Sequence, residues 1–327
     1  MKPGKLSHEQ LQKLILDRLP EAGNSVASGP AVGLDCAAIR FGDGQVILSS
    51  DPITGAAADV GRLAVLVSCN DIASCGIRPS AMMMVIIAPQ DATAEDIQLV
   101  VDQAVSTARR MNVSIVGGHT EVSTAVTRFV VCTTAIGFTY GGRTIQASGG
   151  RAGDTLLMTK TAGLEGTAIL AADLSNQLTG DLTEQELRTA RMMIEQISVV
   201  EEGALGGNQS VHAMHDATEG GILGACWEMA QASRLGCVVD PTRIPVHQVT
   251  RKICRILSLD PLRLISSGSL LIATDRPDEL IRAMRERDIA CTAIGRLTED
   301  PSCRLQIEDE FVPMMPPDSD ELYKVID

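Results

Sequence analysis

Four aspartates, each set alone among small or apolar residues, are the side chains of this protein best suited to chemistry. Asp71 follows Leu63-Ala64-Val65-Leu66-Val67 and precedes Ile72-Ala73, inside a predicted helix that is apolar almost all round. A carboxylate there is costly unless it is paired, protonated or bound to a metal; the other reading is a helix-end residue on a wet face beside Asn70. Asp51 ends the run Val46-Ile47-Leu48-Ser49-Ser50 and precedes Pro52, a setting that suits a Mg²⁺ ligand or an Asx-turn. Asp35 is the lone charge in Ala31-Val32-Gly33-Leu34-Asp35-Cys36-Ala37-Ala38-Ile39, where a metal ligand and a simple turn are both open. Asp216 and Thr218 precede Gly220-Gly221 at a helix start. Free amides and the helix dipole favour phosphate there, and capping by Thr218 is the alternative.

A fifth segment, Ile115-Val116-Gly117-Gly118-His119-Thr120-Glu121-Val122, offers an imidazole, a hydroxyl and a carboxylate directly after two glycines. The pattern predicts a strand that stops near Val116 and a turn whose backbone can approach a ligand. Open α/β sheets place their binding sites at such strand ends. Together these segments point to a phosphate-and-metal site assembled from several strand and helix ends. Lys160, in Met158-Thr159-Lys160-Thr161-Ala162-Gly163, ends a strand as either a phosphate contact or a solvated lysine. His212 and His215 fall on opposite faces of their strand, which argues against a zinc pair with Asp216. Met82-Met83-Met84 reads as core filler.

The elements that must position these residues can be predicted from periodicity and breakers. A helix capped by Ser7 runs to Leu19, and a helix capped by Asp59 covers Val60 to Ser74 and stops at Gly76. Strands are expected at 46–50, 81–88, 113–116 and 128–138, with a helix over 94–111. The glycine-rich stretch Gly141-Gly142 to Gly149-Gly150-Arg151-Ala152-Gly153 marks the best boundary, giving an N-terminal domain over 1–148 and a C-terminal domain over 149–327. The second half repeats the alternation. Strands are expected at 155–159, 211–215, 237–239, 269–274, 291–296 and 304–307. Helices follow Gly163, lie between Thr183 and Leu205, open at Gly220-Gly221, and cover 246–257 and 278–287. Strands mixed with helices in both halves imply a mixed α/β (α+β) protein of two domains.

Composition narrows the function classes. The chain has 327 residues, 45% of them hydrophobic and 21% charged, with a formal net charge of −13. That is ordinary for a soluble globular protein. Aromatics are 2% of residues and no basic stripe is present, so neither phosphate neutralisation nor base stacking has material, and nucleic acid is not expected as a partner. The longest apolar run, Ala81 to Ala88, is too short to span a bilayer. The opening residues lack an apolar signal core. Nine cysteines without a CxxC pair read as small core residues of a reduced, cytoplasmic protein. The common loops G-x-x-x-x-G-K-[ST], G-x-G-x-x-G, G-x-S-x-G and H-E-x-x-H are absent.

In order, Gly33-Leu34-Asp35-Cys36-Ala37-Ala38, Ser49-Ser50-Asp51, Asn70-Asp71-Ile72-Ala73-Ser74-Cys75-Gly76-Ile77-Arg78-Pro79, Gly117-Gly118-His119-Thr120-Glu121 and His215-Asp216-Ala217-Thr218-Glu219-Gly220-Gly221 resemble one superfamily. It contains aminoimidazole ribonucleotide (AIR) synthase, selenophosphate synthetase, thiamine-monophosphate kinase and the hydrogenase-maturation factor HypE. The resemblance covers nearly the whole chain and is nearest to the HypE-like branch, through Gly4-Lys5-Leu6, N-D-x-A-x-x-G-x-x-P and D-x-T-E-G-G. It implies an AIR synthase-like fold, with N-terminal domains paired into a β-barrel across a homodimer and a C-terminal α/β domain. It also implies ATP and Mg²⁺ as cofactors and phosphoryl transfer to an oxygen or selenium of a small substrate.

Carried onto this sequence, the resemblance implies Asp35, Asp51, Asp71 and Asp216 as metal ligands. Ser50, Asn70, Gly117, Gly118, Thr120, Lys160 and Thr218 become nucleotide contacts, and His119 and Glu121 catalytic residues near the γ-phosphate. Carboxylate–metal clamps and backbone amides stabilise a transferring phosphoryl group, so the residue types agree. There are departures. Cys36 stands where the family often has a second acid, and His119 where most branches have Asp. The chain closes on Tyr323-Lys324-Val325-Ile326-Asp327, where HypE has a Pro-Arg-Ile-Cys tail bearing the reactive thiol. The expected function is Mg-ATP-dependent phosphoryl transfer to an oxygen of a small substrate. The rivals are a nucleotide-binding sensor or scaffold, and a HypE-type factor acting on the thiol of a partner protein.

Overall fold

The apolar stretch Val60–Ser74 forms one helix, buried at every residue except Arg62, as a helix without a polar face must be. Asp59 does not cap it through its side chain; its carboxylate lies 3.7 Å from Arg62 Nε instead. This helix sits under the first sheet and against helices and strands of the second half, and so belongs to three hydrophobic cores at once.

The computed structural model describes residues 6–20, 22–54, 56–140, 144–209, 211–316 and 319–326. Gly4-Lys5, Gly141-Gly142 and Asp327, read above in the sequence, lie outside them. In chain order the first half comprises α1 (His8–Leu14), β1 (Val26–Ser28), β2 (Ala37–Phe41), β3 (Gly44–Ile53), α2 (Val60–Ser74), β4 (Pro79–Pro89), α3 (Ala94–Arg110), β5 (Ser114–Ser123) and β6 (Val130–Tyr140). The second half comprises β7 (Thr155–Thr159), α4 (Leu164–Asp173), α5 (Ser175–Leu178), α6 (Glu184–Met192), α7 (Val200–Gly207), β8 (Ala213–Asp216), α8 (Gly221–Ala232), β9 (Gly236–Val239), α9 (Gln248–Leu257), β10 (Leu270–Thr274), α10 (Pro277–Arg285), β11 (Cys291–Thr298), β12 (Cys303–Ile307) and β13 (Glu310–Pro313).

Two mixed sheets result, with strand orders β1-β2-β3-β6-β4-β5 and β13-β12-β9-β11-β7-β10-β8. Among the described strands, only β4–β5 and β9–β12 pair in parallel. Ser7 caps α1 through a reciprocal capping box, but α1 ends at Leu14 and a 3₁₀ turn over Leu16–Arg18 replaces the rest of the expected helix. No helix among the described residues is long and apolar enough to cross a membrane. All nine cysteines are free thiols, and seven are buried.

Two strand readings need correction. β3 does not end at Asp51; it continues through Pro52 to Ile53, pairing Asp51 with Thr133 and Pro52 with Cys132 on β6. Beyond Leu48 its other edge has no neighbour, because β2 starts at Ala37, so the missing N–H of Pro52 costs no ladder bond. β5 likewise runs straight through Gly117-Gly118 to Ser123 rather than turning there. A register shift between Met82 and Met83 passes over Val116 and pairs Gly117 with Met83 and Gly118 with Met84, and a Cβ on Gly118 would lie 1.8 Å from the Met84 carbonyl oxygen. Gly118 is needed for close strand packing, and neither glycine forms a turn.

Candidate active site

Both halves of the chain contribute to one cavity of about 860 Å³, near the upper end of the usual ligand-pocket range. The period-2 geometry of β3 sends Ser49 and Asp51 toward α2 and Ser50 to the other face. Ser49 Oγ donates to Asp71 Oδ2 at 2.5 Å and lies 3.3 Å from Asp51 Oδ2. Asp35, in the loop before β2, accepts from Ser74 Oγ at 3.0 Å. Asp216 ends β8 and is 1% exposed. Asp35, Asp51, Asp71, Asp216 and Thr218 all line the cavity, so the aspartates singled out in the sequence converge.

Their electrostatics explain what they need. Burial, and then the charges of Asp51, Asp216 and Asp35, push the Asp71 carboxyl well above the usual carboxylate range. Like charges this close cannot all ionise without a compensating cation. Hard carboxylate oxygens at a water-accessible wall fit a divalent cation such as Mg²⁺, and Asp51, Asp71 and Asp216 would hold it with Asp35.

His215, set aside above as half of an unlikely zinc pair, is the principal residue the sequence reading missed. It does separate from His212, which instead bonds to Asp154 at 2.8 Å. His215 Nδ1 meets Asp35 at 2.9 Å, and its Nε2 meets Glu228 at 2.9 Å. Carboxylates only accept, so both ring nitrogens carry protons. Burial opposes that charge, but Asp35 and Glu228 outweigh it and hold the imidazole pKa well above its ordinary value. Ligand atoms of Asp35, His215 and Asp216 fall within 4.8 Å of one another, yet the doubly bonded imidazolium acts here as a fixed cation that orients Asp35. Glu228 also reaches His8 at 3.3 Å, whose ring stacks on Trp227 with centroids 4.8 Å apart. The N-terminal helix is thereby tied to the cavity wall.

Glu165 of α4 and Glu219 complete the acidic wall. Glu165 is 3% exposed, and burial raises its carboxyl to about 8. The signal was available: Glu165 and Glu228 are lone acids in apolar helices, as Asp71 is.

Other expected contacts are not brought to this cavity. Asn70 is wholly buried, donating to the Ile197 carbonyl at 2.8 Å and accepting from the Val199 amide at 2.9 Å. Lys160 directs Nζ at the carbonyls of Gln196, Ser198 and Gly268, at 2.6 to 3.0 Å, and pairs with Glu202 at 2.6 Å, leaving no donor for phosphate. Ser50 faces Thr134 at 3.0 Å. Gly117, Gly118, His119, Thr120 and Glu121 lie along exposed β5, where His119 and Glu121 meet each other at 3.3 Å in solvent. Three amides at the start of α8 are already engaged: Asp320 accepts from Gly220 at 2.7 Å, the Thr218 carbonyl from Gly221 and the Leu262 carbonyl from Leu223.

The family models match in two consecutive blocks, the AIR synthase related protein N-terminal domain over residues 33–139 and its C-terminal domain over 151–308. The chain belongs to the AIR synthase-related family. A Methanocaldococcus jannaschii protein provisionally named for hydrogenase expression and formation is 29% identical over 310 residues, covering 91% of this chain and 89% of that one. Carbamoyl dehydratase HypE of Cupriavidus necator is 28% identical, covering 85% of this chain and 81% of its own. Among solved structures, the HypE–HypF complex matches with a TM-score of 0.76 at 20% identity, over 94% of this chain and 99% of the matched one. HypE bound to ATP matches at 0.69 with 21% identity, over 98% and 97%. These likenesses establish the two-domain AIR synthase-like fold.

Proposed function

We propose that this member of the AIR synthase-related family is a Mg-ATP-dependent enzyme that transfers a phosphoryl group to an oxygen of a small substrate. The observation that carries the reading is the convergence of Asp35, Asp51, Asp71 and Asp216, from four separate segments, on one cavity. Solved relatives holding ATP, or AMPPCP with TMP, support it. A divalent cation there supplies charge neutralisation for the transferring group. The chain's own part is to hold the carboxylates in place through Ser49, Ser74 and His215.

A homodimer is part of the proposal. The sheet face turned away from α2 exposes Ile39, Phe41, Met83, Phe138 and Tyr140, and β5 is an uncovered edge strand. Such a face calls for a partner, and a second copy of the same sheet fits it. Ser50, His119 and Glu121 then belong to the subunit interface.

A second reading, action on the thiol of another protein as carbamoyl dehydratase HypE relatives suggest, is favoured by one feature. Leu11 lines the cavity, and Leu14, Ile15 and Leu19 continue from it as exposed apolar residues, giving a protein segment a surface to follow. Calorimetric titration with Mg-ATP, followed by phosphate release on the same sample, tests the proposal. Binding with slow basal release supports an enzyme awaiting its acceptor. Binding without any release moves the case to the sensor or partner-thiol readings, and no binding ends the nucleotide assignment.

A further inference from the structure

Two thiols stand side by side near one edge of the second sheet, and neither lines the cavity. Cys237 on β9 and Cys303 on β12 are partners in a parallel ladder, and both belong to the hydrophobic core packed against α8. Neighbouring strands run about 4.8 Å apart, inside the roughly 4.4–6.8 Å between Cα atoms that a disulfide spans. Partners in a ladder also present their side chains to the same face. Cys303 is the first residue of β12, so it can close on its partner without breaking the pairs beyond it, Arg304 with Val238 and Leu305 with Val239.

The two thiols are not equivalent. Cys237 is wholly buried, whereas Cys303 keeps 8% of its surface accessible and follows the exposed residues Glu299, Asp300 and Pro301. Hydrogen bonding with the Cys237 thiol, and then with the Cys237 amide and Gln231, outweighs burial and lowers the Cys303 thiol to about 7. The thiolate is the nucleophile in thiol chemistry, so Cys303 is the one poised to attack an oxidant. The shared hydrogen bond and then burial push Cys237 far up, and its Sγ also lies 3.8 Å from the Cys226 carbonyl oxygen. It stays a neutral thiol, held beside the sulfur that reacts first. Cys226, the third thiol of this core, sits on α8 outside the ladder.

We propose that Cys303 and Cys237 are a redox modification site, at which hydrogen peroxide forms a reversible disulfide tying β12 to β9. The Cys303 thiolate attacks one peroxide oxygen and becomes a sulfenic acid; the other oxygen leaves as hydroxide and takes up the proton that Cys303 lost, giving water. The Cys237 sulfur then displaces the hydroxyl group from the Cys303 sulfur, and its own proton leaves with that group as a second water. Two thiols lose two electrons, and one hydrogen peroxide is reduced to two waters. A dithiol reductant reverses the bond by exchange, as a regulatory disulfide in a reducing compartment requires. The bond fastens the β12–β13 hairpin, which joins the sheet through β9.

The test treats the full chain, reduced and folded in neutral buffer, with a small molar excess of hydrogen peroxide. Remaining thiols are then alkylated in denaturant, and the protein is digested with trypsin without reduction. Mass spectrometry is expected to find the peptide Leu235–Arg243 joined to Leu297–Arg304, each of which carries one cysteine. Both unlinked peptides should fall to a minor fraction, and dithiothreitol before alkylation should restore them. In Cys237→Ser, dimedone should trap Cys303 as its sulfenic acid; in Cys303→Ser, Cys237 should remain open to alkylation. The inference is overturned if both cysteines are still alkylated after peroxide, if Cys303 is found linked to Cys226, or if Cys303 is converted to a sulfinic acid while Cys237 stays free. Should a serine variant not fold, the peptide map of the unmodified protein decides by itself. Neither outcome depends on nucleotide binding.

Discussion

Asp71 shows how a single buried carboxyl links sequence to chemistry. Its surroundings raise its pKa, so the folded protein pays to keep it charged and a bound cation relieves that penalty. Asp71→Asn is therefore expected to leave thermal stability unchanged or higher while lowering Mg-ATP affinity by at least about tenfold, as loss of one charged ligand implies. Calorimetry and a melting curve on the same variant check this, and unchanged affinity in the folded variant would remove Asp71 from the site. Glu165 makes a pH prediction. Its folded pKa of about 8 stands above the 4.5 of an ordinary glutamate, so between these values the native state holds more protons than the unfolded chain. Stability contributed by this group falls as pH rises through that window and levels off above it. Glu165→Gln should melt at nearly the wild-type temperature at pH 5 and progressively above it toward pH 8.5. A constant difference across that range would show that Glu165 is not the titrating group.

At the scale of elements, the site depends on connectors rather than on the strands that carry its acids. Lys160 sits in a left-handed backbone conformation at φ 55° and holds the 196–198 segment against Gly268. Asn70 grips the same segment from α2 through Ile197 and Val199. Asn70 joins α2 of the first half to this segment, and Lys160 braces the segment from within the second half. Lys160→Met should then cost about 3 kcal/mol, because Glu202 loses its partner while remaining buried, yet leave nucleotide affinity of the folded fraction unchanged. Chemical denaturation with a parallel binding titration distinguishes this from a phosphate-binding lysine, whose loss would weaken binding without lowering the midpoint.

At the scale of the molecule, the exposed apolar face of the first sheet is where the proposed homodimer would form. Phe138 and Tyr140 stand 49% and 79% exposed on it. Charges introduced together, Phe138→Glu and Tyr140→Glu, should convert a dimer into monomers at micromolar concentration with secondary structure retained. Light scattering coupled to size exclusion reads the mass directly. A wild-type monomer would end the homodimer proposal, and a double variant still dimeric would move the interface elsewhere.

Much of the fold was legible because local rules governed it. The apolar period and breakers placed α2 at Val60–Ser74 and β7 at Thr155–Thr159, and isolated acids in apolar runs pointed to Asp35, Asp51, Asp71 and Asp216. The reading of Gly117-Gly118 as a turn failed because parallel pairing with β4 overrode the local signal. Lys160 and Asn70 were misassigned because a polar side chain's partner depends on which distant carbonyls the fold delivers. The sequence by itself determined where buried charge must be paired, since burying an uncompensated carboxylate is costly in any fold. Only the tertiary structure decided the pairing: it gave His215 to Asp35 and Glu228, gave Asp320 to the amides of Gly220, Ile265 and Leu322, and left Glu165 facing the cavity. Those choices rest on contacts between residues far apart in the chain, which local pattern does not encode.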